Sequence, residues 1–201
     1  MDIRLTDARI AFAHSLWVPG SAMEGGIPKY NCDYLVVPGC VVERRDVSGR
    51  WVPTTLDDAQ LMVAAEAFKG DTKRAKAWFD TLDNRQRSVR DGNKNLDKAG
   101  DVRPGFEGIW YVHATSVKHM PVRDARGAVV ATQAESPVYS GCYVQAVISL
   151  YANTQPAKKG VFASLCGTMF RKDGDAFGGG RAATDSDFDA VAEGADAGDF
   201  S

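Results

Sequence analysis

The sequence has few of the residues that build metal centres and disulfide frameworks. Its 201 residues include three histidines and four cysteines. The cysteines show no Cys-x-x-Cys spacing, and no cluster of histidine, cysteine and carboxylate residues completes a zinc site. Each cysteine lies in or beside an apolar run, where a free thiol packs as a small hydrophobic group. We therefore expect reduced cysteines, no metal site and no cofactor.

Long apolar segments and catalytic motifs are also missing. No apolar run approaches the roughly 20 residues of a membrane-spanning helix. The charged stretch of residues 1–9 lacks the apolar core of a secretory signal. The sequence contains neither Gly-x-Ser-x-Gly nor a phosphate-binding loop with its lysine. A small nuclease would also need clustered carboxylates for two-metal hydrolysis. These absences favour a cytoplasmic protein that is not an enzyme.

The acidic residues are concentrated near the end of the sequence. Residues 184–201 contain six acidic residues and no basic one. Because the whole chain has 26 acidic and 24 basic residues, removing these six leaves 20 acidic ones and a net charge of +4 in residues 1–183. A basic body with an acidic tail indicates a polyanionic partner. Residues 178–180 are all glycine, and small polar residues follow. We expect one domain over residues 1–177 and a disordered tail over 178–201.

The clearest secondary-structure signal is the alternating stretch of residues 140–153. Every second residue from Cys142 to Ala152 is apolar, while the opposite side carries polar residues together with Tyr143 and Tyr151. This period of two predicts a half-buried strand. Its outer face is either an ordinary solvated surface or a platform on which nucleic-acid bases stack.

Other segments complete a mainly β pattern. A turn containing Lys158 and Lys159 leads into a second extended run, residues 161–170, which predicts an adjacent antiparallel strand. Further strands are expected over 30–37 and 108–118, with Trp110 in the core. A helical segment is predicted over 55–82, where Thr54 or Thr55 caps its start. Residues 83–105 carry six basic side chains and are expected to form a long exposed excursion, either a solvated loop or a basic flap over a nucleic-acid backbone.

The order of several short motifs resembles that of phage single-stranded DNA-binding proteins. The motifs are Tyr139-Ser-Gly-Cys-Tyr143, Lys159-Gly160, and Arg171-Lys-Asp-Gly174 followed by Phe177-Gly-Gly-Gly180. Residues 30–38 resemble the early strand of that family, and Lys118-x-x-Pro121 resembles the end of its middle strand. The resemblance covers most of the chain and is strongest from residue 139 onward. It departs from the family at Ser201, which follows the terminal aromatic residue.

The resemblance implies a fold and a function. The fold would be a five-stranded OB-fold barrel, mainly β, with the helical segment inserted and the acidic tail appended. The function would be non-specific binding of single-stranded DNA in phage DNA replication, recombination and repair. The tail would compete with DNA and recruit a polymerase or helicase. A protein-interaction adaptor with the same fold and no DNA affinity is the alternative, and the sequence leaves a homodimer open.

Single-strand binding needs aromatic platforms and a basic groove, which defines the candidate residues. The stacking candidates are Tyr143, Tyr151, Tyr111 and His113. The candidate phosphate contacts are Lys29, Lys118, Arg123, Lys158, Lys159, Arg171 and Lys172. In the tail, the candidates for binding a protein partner are Asp196, Asp199 and Phe200.

Overall fold

Nine strands form one hydrogen-bonded sheet in the computed structural model, which describes residues 1–20 and 26–177. The strands are β1 (Asp2–Ala11), β2 (Tyr30–Val36), β3 (Val41–Arg45), β4 (Trp51–Pro53), β5 (Val89–Asp91), β6 (Trp110–Ser116), β7 (Val122–Arg123), β8 (Tyr143–Asn153) and β9 (Gly160–Lys172). The helices are α1 (Leu56–Ala67) and α2 (Thr72–Asp80). The expected class, mainly β with an inserted helical segment, is confirmed. The expected acidic tail lies outside the described residues, so the domain boundary at 177 stays a prediction.

The alternating stretch forms β8, as its period of two predicts. Val144, Ala146 and Ile148 are completely buried, whereas Tyr143 and Gln145 on the other side are half-buried. This strand pairs antiparallel with β9 along its whole length, from Tyr143 opposite Lys172 to Asn153 opposite Gly160. The predicted antiparallel pair is therefore confirmed, and it supplies the longest interface of the sheet.

Five strands pair in a cycle around the main hydrophobic core. β1 pairs with β2 and with β8 in antiparallel register. β2 pairs antiparallel with β6, β6 pairs in parallel with β9, and β9 returns to β8. The remaining strands extend this arrangement: β3 and β4 continue outward from β1, β5 adds to β6, and β7 adds to β9. The inward residues of the five strands form one buried cluster.

The helical segment consists of two helices because a glycine interrupts it. The Thr55 hydroxyl accepts a hydrogen bond from the Asp58 amide at 3.1 Å and caps α1, as the sequence predicts. After α1 the chain turns at Gly70, whose φ of +87° suits a residue without a side chain. The Asp71 carboxylate then accepts from the Arg74 amide at 2.9 Å and caps α2. Neither helix, nor any other in the described part of the chain, is long and apolar enough to cross a membrane.

The prediction of an exposed excursion over residues 83–105 is wrong for its central part. β5 pairs with β6, and both Ser88 and Val89 are buried. The Gln60 side chain of α1, itself buried, accepts hydrogen bonds from the Ser88 hydroxyl and the Val89 amide, each at 3.4 Å. These contacts fix the central part of the segment against the sheet, and Arg90 is the basic residue that lies in β5 itself.

Candidate nucleic-acid interface

A groove of about 500 Å³ crosses the outer faces of β6, β8 and β9. Its floor comes from these strands, and its walls come from the turn between β8 and β9 and from residues 85–90. The lining residues are Lys29, Arg85, Gln86, Ser88, Arg90, His113, Thr115, Tyr151, Asn153, Ala157, Lys158, Lys159, Phe162 and Ala163. We call this surface the basic groove.

The basic groove has a strongly positive lining. Five of its lining residues are lysine or arginine, and none of the described residues that line it is acidic. The Arg90 guanidinium is held in place, because it donates to the carbonyl of Arg87 at 2.9 Å and to that of Arg85 at 3.2 Å. Lys29, Arg85 and Lys158 are exposed. A cleft lined by one sign of charge concentrates field lines, so this groove attracts polyanions.

Two aromatic rings stand together on the floor of the basic groove. Tyr151 of β8 and Phe162 of β9 are direct cross-strand neighbours, with ring centroids 5.8 Å apart and planes tilted by 44°. Tyr151 is 47% exposed. A Cβ atom on Gly160 would lie 2.5 Å from the Gln86 carbonyl oxygen and 2.5 Å from the Phe162 ring. The glycine therefore allows both the Gln86 carbonyl and the Phe162 ring to pack against the backbone of residue 160.

His113 of β6 lines the basic groove, and a buried carboxylate on the neighbouring strand holds its ring in one orientation. Its Nδ1 atom lies 2.6 Å from Oδ1 of Asp33, a β2 residue that is 4% exposed. The Asn95 side chain donates to the other carboxylate oxygen of Asp33 at 3.5 Å. Because Nδ1 is engaged by the carboxylate, Nε2 is the ring nitrogen that remains for other partners.

The basic groove brings together five of the candidate residues from the sequence: Lys29, His113, Tyr151, Lys158 and Lys159. Arg85, Arg90 and Phe162 also line it but were not among the candidates. Two sequence signals point to them. Phe162 lies on the outward side of the predicted strand 161–170, and both arginines belong to the basic stretch 83–105.

Two expectations about neighbouring residues of β6 are wrong. Tyr111 is 5% exposed, because the ring of Phe106 packs against it edge-on at a centroid distance of 5.0 Å. This burial raises the pKa of the Tyr111 phenol above its usual value. It leaves the ring without a free face for stacking. Trp110, expected in the core, is 57% exposed.

Five other candidates lie outside the basic groove. Lys172 Nζ is 4.5 Å from the centroid of the Tyr143 ring, at the far end of the β8–β9 pair. Arg171 lies 3.7 Å from the Asp7 carboxylate, and Arg123 donates to the Gly127 carbonyl at 2.7 Å. Lys118 is exposed just after β6. Contact of these residues with DNA stays a prediction.

The end of the described chain makes specific contacts with the rest of the fold. Phe177, the last described residue, donates its amide to the Ser140 carbonyl at 3.0 Å, and the Arg9 guanidinium lies 4.3 Å from its ring centroid. Phe177 packs against the cluster that contains Tyr111, which is two residues from His113 on β6. The tail candidates Asp196, Asp199 and Phe200 lie outside the described residues.

The described residues contain no cluster of side chains that could bind a metal ion. Among residues 1–20 and 26–177, no group of three or more histidine, cysteine or acidic side chains is placed to hold a metal ion. All four cysteines are free thiols. Burial raises the pKa of both Cys40 and Cys142 to about 11, so these thiols are protonated at neutral pH.

The chain is similar to several known phage proteins. A family model described as "Enterobacter phage Enc34, ssDNA-binding protein" matches residues 1–200. A "Putative protein p50" of Acyrthosiphon pisum secondary endosymbiont phage 1 is 31% identical over 191 residues, which cover 94% of this chain and 93% of that protein. The solved structure of the bacteriophage Enc34 single-stranded DNA-binding protein in complex with ssDNA matches with a TM-score of 0.56 at 19% identity, covering 88% of this chain and 89% of that chain. A second solved structure of the bacteriophage Enc34 single-stranded DNA-binding protein matches with a TM-score of 0.55 at 19% identity. The match covers 92% of this chain and 89% of that chain.

Proposed function

Because this chain belongs to the family of the Enterobacter phage Enc34 single-stranded DNA-binding protein, we propose that it binds single-stranded DNA without sequence preference. The basic groove is the binding site. The observation that carries this proposal is the combination, in one groove, of five cationic side chains with the exposed Tyr151 ring and the half-buried Phe162 ring beside it. Proteins that bind single-stranded nucleic acid combine these two features, because every nucleotide has both a phosphate and a flat base.

The two kinds of side chain have different roles in this proposal. Lys29, Lys158 and Lys159, together with the groove-lining arginines Arg85 and Arg90, contact phosphates and release condensed counterions. Tyr151 offers its ring to a base, and Phe162 supports that ring from the neighbouring strand. Base–aromatic stacking contributes about 1–3 kcal/mol per base and tolerates any sequence.

The sheet order supports an OB-fold as the scaffold. The cycle β1–β2–β6–β9–β8 has the order of a five-stranded OB barrel, in which β1, β2, β6, β8 and β9 are strands one to five. OB-folds bind oligonucleotides on the face of strands two and three and on the loops after strands one and four. The basic groove has these parts: His113 lies on the third strand, Lys29 ends the first loop, and Lys158 lies in the last loop.

The biological setting follows from the same chemistry. We propose that the protein protects single strands during phage DNA replication, recombination and repair in the host cytoplasm. The acidic tail competes with DNA for the basic groove, and the released tail, through Asp196, Asp199 and Phe200, recruits a polymerase or helicase. A homodimer remains compatible with this arrangement.

Equilibrium binding to fluorescent oligonucleotides tests the proposal. The full-length protein should bind single-stranded oligonucleotides of mixed sequence with similar affinities, and should bind matched duplexes more weakly. Affinity should fall steeply between low and physiological salt, as counterion release requires. An adaptor without DNA affinity would show no binding of either form at low salt, which would refute the proposal.

A further inference from the structure

Exposed aromatic rings are rare on the described surface of this protein. Among the phenylalanine, tyrosine and tryptophan side chains of residues 1–20 and 26–177, Tyr151 and Trp110 are the two that are exposed. Tyr151 lies in the basic groove. Trp110 belongs to neither of the two buried clusters. Its exposed ring is a large apolar surface in water, and such rings mark binding sites.

Trp110 lines a second cavity of about 490 Å³ directly beside the basic groove. This cavity, which we call the Trp110 cleft, lies between the ends of β2 and β3, the start of α1 and the segment of residues 85–90. Its lining residues are Val36, Cys40, Val42, Thr54, Thr55, Leu56, Asp57, Gln60, Arg87, Val89 and Trp110. Its size is within the range of small-molecule sites.

One extended segment separates the Trp110 cleft from the basic groove. Consecutive residues of this segment face alternate sides: Ser88 and Arg90 line the basic groove, whereas Arg87 and Val89 line the cleft. The two cavities therefore lie on opposite faces of this one segment. A strand of DNA lying over Arg85 and Arg90 would pass around this segment to reach Trp110.

The charges of the Trp110 cleft suit a base better than a phosphate. It contains one cation, Arg87, and one carboxylate, Asp57. The Arg87 guanidinium is fixed, because it donates to the Phe79 carbonyl at 3.1 Å and lies 4.4 Å from the Phe79 ring centroid. Its buried Nε atom has no hydrogen-bond partner within the described chain. A nearly neutral cleft with a flat exposed ring matches an uncharged heterocycle.

From this geometry we propose that the Trp110 cleft is a second base-binding subsite. The DNA backbone passes over the 85–90 segment, and one base beyond those held in the basic groove stacks on Trp110. The inference rests on the proposed single-strand binding and adds the direction in which the strand leaves the basic groove. It also gives two residues of the basic stretch 83–105 a role, since Arg85 and Arg90 would hold the backbone between two stacking platforms.

Oligonucleotide length separates the two sites. We would measure affinities of the full-length protein for oligo(dT) of about 4 and about 16 nucleotides, the range of site sizes found for OB-folds. Trp110→Ala should lower affinity for the longer strand on the order of tenfold and leave the shorter strand unaffected. Trp110→Phe should retain most of the affinity. Asp57→Asn should strengthen binding of the longer strand alone, since it removes the carboxylate from the strand's path.

A matched control and a spectroscopic readout make the result unambiguous. Trp51 of β4 lines neither cavity, so Trp51→Ala should leave both affinities unchanged. Tryptophan emission of the wild type should be quenched by the longer strand, and Trp110→Phe should remove most of that quenching. Unchanged affinity and unchanged quenching in the Trp110 variants, or equal losses for both lengths, would overturn the second subsite. If the wild type binds neither strand, single-strand binding itself fails.

Discussion

The Nδ1 atom of His113 lies 2.6 Å from the Oδ1 atom of Asp33, and this pair connects the basic groove to the interior of the sheet. Asp33 is buried, while His113 reaches the groove surface. The carboxylate therefore fixes the orientation of a ring that we expect to face DNA. The same contact satisfies a polar group that would otherwise be buried without its main partner.

We expect His113→Ala to lower the free energy of unfolding by about 1–3 kcal/mol, because the buried Asp33 carboxylate loses its close partner. Urea denaturation of the full-length protein measures this change. In the double variant, Asp33→Asn with His113→Ala, the unpaired charge is gone and part of the lost stability should return. A His113→Ala protein as stable as the wild type would show that the pair does not stabilise the fold.

Replacing Lys158 and Lys159 together with alanine should flatten the salt dependence of binding. Each phosphate contact on a single strand contributes about 0.7 to the slope of log affinity against log salt, so the double variant should lose about 1.4. Fluorescence anisotropy at four or more salt concentrations gives the slope. The matched control is Lys73→Ala with Lys76→Ala, which removes the same charge from α2 at a distance from the basic groove. Equal slopes for both double variants would mean that the lysines of the β8–β9 turn do not contact phosphates.

Tyr151→Ala should weaken single-strand binding by about 1–3 kcal/mol with little change in salt slope, because it removes a stacking surface and no charge. Tyr151→Phe should bind nearly as well as the wild type. Tyr143→Ala is the informative comparison, since Tyr143 lies at the other end of β8 against Lys172. A larger loss of affinity with Tyr143→Ala than with Tyr151→Ala would indicate that DNA binds away from the basic groove.

Gly160→Ala should destabilise the protein by about 1–3 kcal/mol, because its methyl group would overlap the Gln86 carbonyl and the Phe162 ring. Binding should weaken as well, since the Phe162 ring must move. Gly167 of the same strand is the control: a Cβ atom there would lie 3.4 Å from its nearest neighbour, the Pro121 carbonyl oxygen. Thermal unfolding of the two variants compares them directly, and a Gly160→Ala protein no less stable than Gly167→Ala would contradict this reason for the glycine.

A protein that ends at Gly180 should bind single strands more tightly than the full chain at low salt. The six carboxylates of residues 184–201, tethered near a basic groove, compete with DNA at high effective concentration. The difference should shrink as salt rises, because screening weakens the attraction between tail and groove. Titrations of both proteins at two salt concentrations measure it. Equal affinities at low salt would mean that the tail does not compete with DNA, and would leave it as a docking peptide or a solubilising segment.

Local patterns in the sequence were sufficient for β2, β6, β8 and β9, for the start of α1 and for the family. The alternation of residues 140–153 specifies β8, since a strand with one buried face must place apolar residues at every second position. The Thr55 cap is equally local, because its hydroxyl needs only an amide three residues further on. The order of short motifs from residue 139 onward indicated the family, and the match over residues 1–200 confirms it.

The composition of the candidate site was decided by tertiary structure. Alternation tells which residues point outward, but not which outward residues a later segment will cover. Tyr111 and His113 share one face of β6, yet Phe106 covers the first and leaves the second in the groove. Trp110 lies on the same side of β6 as the buried Val112. It is the first residue of the strand, however, where the core no longer covers it. The pairing of β8 with β9 and the docking of residues 85–90 placed Tyr151 beside Phe162 and the arginines. Those contacts join residues far apart in the chain, and their geometry exists only once the sheet has formed.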